Sequence, residues 1–255
     1  MSVISNLIGE HIFGIAIDRP EARNAVNGAV AVGMESALDQ FEADDSAWVA
    51  ILYGNGTNFS AGADLKEIAA GNGASLRTER GGFAGIVTRA RTKPIIAAVH
   101  GSALAGGCEI ALSCDMIVAT RSAKFGLPEV KRSLAAAAGG LFRLPRVLPK
   151  NIANEVILTG DPISADRAHA FGMVNVVCED SELQEAALIL AARVAANAPL
   201  AVRESLAVSR RAHSESEEKL FELSARALSS LSKTNDFQEG PRAFIEKRPP
   251  RWSGS

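Results

Sequence analysis

Cysteine and histidine are scarce in this 255-residue chain, and their spacing limits the chemistry they can support. The three cysteines include no C-x-x-C pair, and the four histidines form no H-E-x-x-H motif. An odd number of widely spaced cysteines argues against a disulfide framework and against a structural zinc site. We therefore expect free thiols of a reducing compartment and no metal ion, with His100 and Cys108 as the alternative pair of metal ligands.

Long apolar runs and an excess of one charge are also absent. No run approaches the roughly 18 apolar residues that a membrane span needs. The 27 basic and 29 acidic side chains give a net charge of -2, which offers no electrostatic reason to expect nucleic acid or an anionic membrane as partner. The N-terminal segment lacks the basic stretch, apolar stretch and cleavage site of a secretory signal. We therefore predict a cytoplasmic protein.

The first part of the chain alternates strand-like with helix-like segments. Residues 28–44, GAVAVGMESALDQFEAD, carry apolar side chains at helical spacing. Short, β-branched runs predict strands at IFGIAID (12–18), AWVAILYG (47–54), KPIIAAVHG (93–101) and DMIVAT (115–120). This succession predicts an α/β fold with a mostly parallel sheet.

The rest of the chain is mainly helical. Ser181 is the predicted N-cap of a helix that ends before Pro199, and the pattern from Leu200 to about Lys233 is amphipathic. A turn at Gly240–Pro241 and a short helix are expected near the end. We predict a core over residues 1–197 and a helical region over 198–255, whose apolar faces cover the sheet domain or another subunit.

Two glycine turns follow predicted strands. In NFSAGADLKE (58–67), Gly62 permits a sharp turn and the small Ala63 side chain leaves its N–H approachable, although an ordinary turn capped by Asp64 explains the same residues. In GSALAGGCEIALSCD (101–115), a helix beginning near Gly106 leaves its first N–H groups unpaired and partly positive. Side chains lean toward the helix N-terminus, so Glu109 is expected to point back toward the Gly106 N–H, or else only to favour the helix dipole.

A third segment, AKFGLPEVKR (123–132), contributes a second acid. Pro128 fixes the backbone before Glu129, although a Pro-Glu pair is also typical of a helix start. Together, the N–H groups of Ala63 and Gly106 can form an oxyanion hole. Two close glutamates can share an acid/base task with one proton held between them, and the sequence leaves open which one holds it.

These segments, in their order along the chain, resemble the crotonase (enoyl-CoA hydratase/isomerase) superfamily. The matching stretches are FSAGADLKE, KPIIAAVHGSALAGGCEIALSCDMIVA, AKFGLPEVK, LTGDPISADRAHAFGMVNVV and EGPRAFIEKR. The resemblance implies a crotonase-like α/β fold, a spiral of ββα units with a helical C-terminal region that builds homotrimers, often paired into hexamers.

The resemblance also implies a reaction and its residues. The N–H groups of Ala63 and Gly106 would polarise the thioester carbonyl of an acyl-CoA. Glu109 would activate water for attack at C3 and Glu129 would protonate C2, which hydrates a 2-enoyl-CoA to a 3-hydroxyacyl-CoA without a metal or a separate cofactor. The CoA part would be bound by residues of three segments, namely Arg23, the turn residues Ala61, Asp64 and Lys66, and Lys247.

One segment departs from the family pattern. Many family hydratases carry G-T-x-P-G where this chain has SLAAAAGG, with Ser133 and Ala136 at the changed positions. These residues resemble the wall of the acyl pocket, and the glycine-rich stretch 71–85 is expected to be a mobile loop of that pocket. Because of these two segments, the sequence does not identify the acyl group of the substrate.

Alternative functions stay open at this stage. They are double-bond isomerisation, dehydration of a special acyl-CoA such as a carnitinyl or steroid side-chain thioester, and a non-catalytic scaffold or RNA-binding role. The retention of both glutamates favours hydration over isomerisation. The net charge and the intact glycine turns argue against the non-catalytic role.

Overall fold

The computed structural model describes residues 2–255, which form eleven strands. In chain order these are β1 (Val3–Gly9), β2 (Ile12–Ile17), β3 (Val49–Gly54), β4 (Arg77–Thr78), β5 (Gly82–Phe83), β6 (Ile95–Val99), β7 (Ser102–Leu104), β8 (Met116–Thr120), β9 (Lys124–Gly126), β10 (Ile163–Ser164) and β11 (Val176–Cys178). A six-stranded sheet has the order β1-β2-β3-β6-β8-β11, a second sheet the order β10-β9-β7, and β4 and β5 form a hairpin.

Ten α-helices connect and cover these strands within the same residues. They are α1 (Gly28–Ala43), α2 (Leu65–Ala69), α3 (Gly106–Ser113), α4 (Gly140–Val147), α5 (Lys150–Thr159), α6 (Ala165–Ala170), α7 (Leu183–Ala195), α8 (Pro199–Ser209), α9 (Glu217–Leu231) and α10 (Asn235–Ile245). In the six-stranded sheet, only the β1–β2 pair is antiparallel. The predicted α/β class and mostly parallel sheet are therefore confirmed.

The inner strands of the large sheet are buried because both of its faces are covered. β2 and β6 are buried at every position, which explains their continuous apolar sequences. One face packs with α1 and most of the core, and α7 covers the other face with Leu183, Leu190 and neighbours. One ββα pattern occurs twice, as β6–β7–α3 and as β8–β9–α4. In each unit the first strand joins the six-stranded sheet and the second joins the three-stranded sheet. The predicted spiral of ββα units is thereby confirmed.

The C-terminal helices are much less buried. α9 buries no residue, and α10 buries only Asp236 and Ala243. Four apolar side chains of these helices stay largely exposed, namely Phe221, Leu228, Phe244 and Ile245. The predicted boundary at residues 197/198 falls in the link between α7 and α8 and stays a prediction.

Two local predictions in this region were wrong. A 3-10 turn at Asp180–Glu182 leads directly into α7, and it is capped by Glu179 rather than Ser181. Glu179 and Glu182 exchange hydrogen bonds with each other's backbone N–H in a capping box. Gly240 and Pro241 lie inside α10 instead of forming a turn. The amphipathic stretch from Leu200 to Lys233 is divided into α8 and α9.

The stretch 71–85 contains structure that was not expected of a mobile loop. It forms a short 3-10 helix and the β4–β5 hairpin. Arg80 in this hairpin pairs with Glu35 and Asp39 of α1, and Thr78 donates a hydrogen bond to Glu35 at 2.6 Å. The hairpin is therefore tied to the core beside α1.

No single helix within residues 2–255 is long and apolar enough to span a membrane, although the segments Asp180–Ala195 and Pro199–Ser209 pass the length and composition criteria together as a pair bent by 101°.

Candidate active site

The two glycine turns meet in the structure. Ser60 forms an isolated bridge with Ala103 of β7, which brings the turn after β3 alongside the start of α3. Gly62 has a φ of +87°, and a Cβ at this position would lie 2.7 Å from the Gly106 nitrogen. A side chain there would collide with backbone, so this close approach requires glycine.

The two candidate oxyanion-hole amides make no hydrogen bond within residues 2–255. Val26 donates to the Gly62 carbonyl and accepts from the Asp64 N–H, which leaves the Ala63 N–H between them without an acceptor. Gly106 is the first residue of α3, and its N-cap, Ala105, offers no side-chain acceptor. The Gly106 N–H therefore carries the partial positive charge of a helix N-terminus.

Strain and close packing fix the start of α3. Ala105 has a φ of +51°, a conformation that is rare for a residue other than glycine and that is found often at functional sites. A Cβ on Gly107 would lie 2.1 Å from the Ser60 carbonyl oxygen. A Cβ on Gly106 would lie 2.4 Å from the ring of Phe83, so this buried phenylalanine of β5 forms a wall beside the candidate amide.

Glu109 is almost completely buried, with 3% of its surface exposed. Its Oε1 accepts a hydrogen bond of 2.9 Å from the Gly140 N–H at the start of α4. Burial raises the pKa of the Glu109 carboxyl, and backbone N–H groups of Gly140 and Ala138 and the charges of Arg143 and Arg77 oppose that rise. The ionised form of Glu109 therefore has donors and positive charge around it.

Glu129 lies in different surroundings, in the short 3-10 helix Pro128–Arg132. Its Oε2 is buried and has no hydrogen-bond partner in the described part of the chain. Burial, and then the nearby charge of Glu109, raise the pKa of Glu129 to about 7. The Glu129 carboxyl can therefore take up or release a proton near neutral pH. The charge of Glu109 thus affects the titration of Glu129.

Sequence reasoning missed three residues of this site. Gly140 supplies the N–H that holds Glu109, Arg143 acts on the same carboxyl, and Phe83 lines the Gly106 turn. The paired glycines in AAAAGGLFRLP were a usable signal for Gly140, because they follow the second acid closely. Nothing in the local sequence indicated Phe83.

Four of the five residues predicted to bind CoA lie in neighbouring segments. The Arg23 carbonyl accepts from the Ala61 N–H at 3.0 Å, and the Arg23 side chain is exposed. Asp64 caps α2 by accepting from the Lys66 N–H at 3.1 Å and pairs with Arg19 at 3.2 Å. Asp64 therefore acts as a helix cap, as the alternative interpretation of this turn predicted.

Lys247 is separate from these four residues. It follows α10, has a φ of +53°, and is exposed. Within residues 2–255 it makes no hydrogen bond or ion pair with any of the other four predicted CoA ligands. Residues 2–255 contain no group of three or more His, Cys, Asp or Glu side chains placed to hold a metal ion.

Comparison with known proteins identifies the family. A family model described as enoyl-CoA hydratase/isomerase matches residues 8–255. The chain is 39% identical to a mevalonyl-coenzyme A hydratase of Aspergillus fumigatus over 252 residues, which cover 96% of this chain and 92% of that protein. It is 42% identical to the carnitinyl-CoA dehydratase of Salmonella typhi over 250 residues, 95% of each chain.

The fold has close counterparts among solved structures. The crystal structure of an enoyl-CoA hydratase from Mycobacterium tuberculosis H37Rv matches with a TM-score of 0.95 and 45% identity, covering 100% of this chain and 99% of that one. Sequence and fold agree over nearly the full length. The chain therefore belongs to the enoyl-CoA hydratase/isomerase (crotonase) family, among relatives named hydratases and dehydratases of CoA thioesters.

Proposed function

We propose that this protein is an enoyl-CoA hydratase, which adds water reversibly to a 2-enoyl-CoA to give a 3-hydroxyacyl-CoA. The observation that carries the proposal is the unequal pair of glutamates, Glu109 buried and Glu129 half-buried, in the same site as the two free amides. Glu109 has hydrogen-bond donors, whereas the Oε2 of Glu129 has none in the described part of the chain. Hydration needs one group to take a proton and another to give one, and this pair offers both states at once.

The oxyanion hole would act on the thioester. Ala63 and Gly106 would donate their N–H groups to the thioester oxygen as negative charge develops on it. Because the donors are fixed by backbone, they need no reorganisation during the reaction, and one such donor contributes about 2.7–4 kcal/mol in comparable sites. No metal or separate cofactor enters this scheme.

The glutamates would act on the neighbouring carbons. Glu109, whose ionised form accepts a hydrogen bond from the Gly140 N–H, would take a proton from water as its oxygen attacks C3. Glu129, protonated near neutral pH, would give its proton to C2. The reverse sequence removes water. An isomerase can shift a double bond with one acid, so the presence of two supports hydration.

Binding of the CoA part is proposed for the residues predicted from the family pattern. Arg23 and Lys66 are exposed cations beside the turn that carries Ala61 and Asp64. Cationic side chains suit the phosphates of CoA. Lys247 would contribute from the C-terminal region.

Assembly and location are further parts of the proposal. The exposed apolar residues of α9 and α10 are consistent with a homotrimer or a hexamer that covers them. Sedimentation at micromolar concentration tests this, since a stable monomer would contradict it. We propose a cytoplasmic location, with acyl-CoA as partner and neither nucleic acid nor membrane.

A second candidate is the dehydration or hydration of a polar, branched acyl-CoA. The observation that favours it is the similarity to the carnitinyl-CoA dehydratase and the mevalonyl-coenzyme A hydratase, together with the changed segment at Ser133 and Ala136. The same two glutamates would serve, because hydration and dehydration share one path. The two candidates differ only in the acyl group.

The first experiment mixes the protein with crotonyl-CoA and follows loss of the conjugated enoyl-thioester absorbance. We expect loss with the wild-type protein and almost none with Glu109→Gln. Comparing kcat/KM among crotonyl-CoA, longer enoyl-CoA esters, carnitinyl-CoA and mevalonyl-CoA then selects the acyl class. Absence of water addition or removal with every thioester would refute the proposal.

A further inference from the structure

Arg143 lies behind the catalytic candidates rather than among them. It belongs to α4, one turn after Gly140, and is half-buried. Its guanidinium donates to the Ala138 carbonyl at 3.2 Å and also to the Val87 carbonyl. These two acceptors belong to separate segments of the chain, so the side chain links the start of α4 to the segment that follows β5.

The turn between Ala138 and Gly140 is shaped to receive this side chain. Gly139 has a φ of +116°, and a Cβ there would lie 2.5 Å from Nη1 of Arg143. A Cβ on Gly140 would lie 2.9 Å from the Leu127 side chain on another side of the turn. The two glycines therefore let the turn fit between the guanidinium and Leu127.

The same turn holds Glu109. Its Gly140 N–H donates to Oε1 of Glu109 at 2.9 Å, while the Ala138 carbonyl is held by Arg143. A shift of the turn would move that N–H away from the carboxylate. We propose that Arg143 is a positioning residue for Glu109, which fixes the Ala138–Gly140 turn and places a positive charge near the Glu109 carboxylate.

The charged groups around Glu109 support this assignment. Arg143 from α4 and Arg77 from β4 act on it as cations. Glu129 is the neighbouring acid, and the charge of Glu109 raises its pKa. The adjacent Cys108 thiol is neutral, because burial raises its pKa far above neutral pH. Burial and the charge of Arg91 lower the pKa of Arg143, but an arginine keeps its charge throughout the accessible pH range.

The proposal rests on the proposed function only for its kinetic consequence. The direct test measures the pKa of Glu109 without substrate, by carbon-13 NMR of protein labelled at the glutamate carboxyls, with Glu109→Gln to assign the signal. In Arg143→Gln we expect the pKa of Glu109 to rise by about one unit, as when an opposite charge is removed. Arg146→Gln is the matched control, because Arg146 lies on the same helix, stacks on the same Phe142 ring and is exposed.

The kinetic test uses the pH profile of kcat/KM for crotonyl-CoA. Arg143→Gln is expected to move the acidic limb, set by Glu109, to higher pH and to leave the basic limb, set by Glu129, in place. We expect kcat to fall by up to about 100-fold through misplacement of the base, with KM nearly unchanged. A merely structural role for Arg143 would lower the profile without moving one limb.

Arg143→Lys keeps the charge but cannot span both carbonyls. We expect it to keep the pKa of Glu109 within about 0.3 units of wild type, well below a full charge-removal shift, and to lower kcat. An unchanged Glu109 signal in Arg143→Gln would overturn the proposal. A rise of about one unit in Arg143→Lys, which keeps the charge, would overturn it as well, and this measurement decides the matter if the Gln variant fails to fold. Failure of the wild-type protein to act on any thioester would instead refute the proposed function, and the NMR result would still stand.

Discussion

The carboxylates of the candidate active site and those of the C-terminal helices lie in opposite surroundings. Glu129 is half-buried near Glu109, its buried Oε2 has no hydrogen-bond partner in the described residues, and its pKa is raised to about 7. Glu239 in α10 accepts two hydrogen bonds from Arg248 and one from the Arg251 N–H, and these lower its pKa to about 2. A carboxyl with poor solvation of its charge can exchange a proton near neutral pH, whereas a fully paired one is fixed as an ion.

The two regions also differ in how closely their backbone is packed. Gly107 in α3 lies against the Ser60 carbonyl, where a Cβ would come within 2.1 Å. Gly240 in α10 has only the Trp252 ring nearby, at 3.6 Å from a Cβ. The α3 segment thus accepts strain to bring two turns together, while the C-terminal helix is loosely packed on its own chain. Acid/base function is expected where carboxylates lack hydrogen-bond partners and the backbone is closely packed.

The largest expected effect separates the two acids by activity. Glu129→Gln removes the proton donor but keeps the size of the side chain, so hydration of crotonyl-CoA should slow by about 10²- to 10⁴-fold. Glu239→Gln makes the same chemical change in the C-terminal region and should leave kcat unchanged. Both variants are compared by initial rates at pH 7. If Glu129→Gln reacted at the wild-type rate, the role of this residue as the acid would have to be abandoned.

The next effect concerns space at the start of α3. Gly107→Ala places a methyl group against the Ser60 carbonyl, which is backbone and cannot rotate away. Overpacking of this kind costs about 1–3 kcal/mol, and we expect it to outweigh the gain of about 1 kcal/mol that alanine brings to a helix interior. Urea unfolding measures the net loss. A variant as stable as wild type would mean that the two turns are less tightly packed than the structure indicates.

The dependence of stability on pH should differ in sign between the two acids. The pKa of Glu129 is raised by folding, so its stabilising effect is complete below about pH 4.5 and is lost as the pH rises through about 7. The pKa of Glu239 is lowered, so its effect is complete above about pH 4.5 and is lost as the pH falls toward 2.

The measurement is the free energy of unfolding of wild type and each Gln variant from pH 3 to pH 8. Relative to Glu129→Gln, wild type should lose stability between pH 5 and pH 8. Relative to Glu239→Gln, it should lose stability between pH 5 and pH 3. Parallel curves for wild type and Glu129→Gln would contradict the raised pKa of Glu129.

Local sequence rules predicted the parts of the site that depend on local geometry. Glycines after a strand predicted the start of α3 near Gly106, and the three-residue spacing predicted that Glu109 shares the face of that helix end. Gly140 and Arg143 were missed, because the hydrogen bond of the first and the charge of the second act on Glu109 from more than 30 residues away in the chain and depend on how α4 packs on α3.

The errors outside the site also have physical causes. Ser181 and Glu179 are both able to cap a helix, and each has a Glu or Gln three residues later. The capping box that forms is the one between Glu179 and Glu182, at the 3-10 turn Asp180–Glu182 that precedes α7. Pro241 predicted a break because proline removes a backbone donor from a helix. The helix nevertheless continues through Pro241, and its first turn is joined to the end of the chain by hydrogen bonds from the Ser253 and Gly254 N–H groups to Asp236.

The smallest expected effect is a gain in stability at the loosely packed glycine. Gly240→Ala adds a methyl group at ordinary contact distance from Trp252, without collision and without a left-handed backbone. Glycine in a helix interior costs about 0.5–1 kcal/mol relative to alanine, so the variant should be more stable by about that amount. The same substitution therefore changes sign between Gly107 and Gly240. Urea unfolding of the two variants side by side measures it, and equal losses at both positions would remove the contrast in packing between α3 and α10.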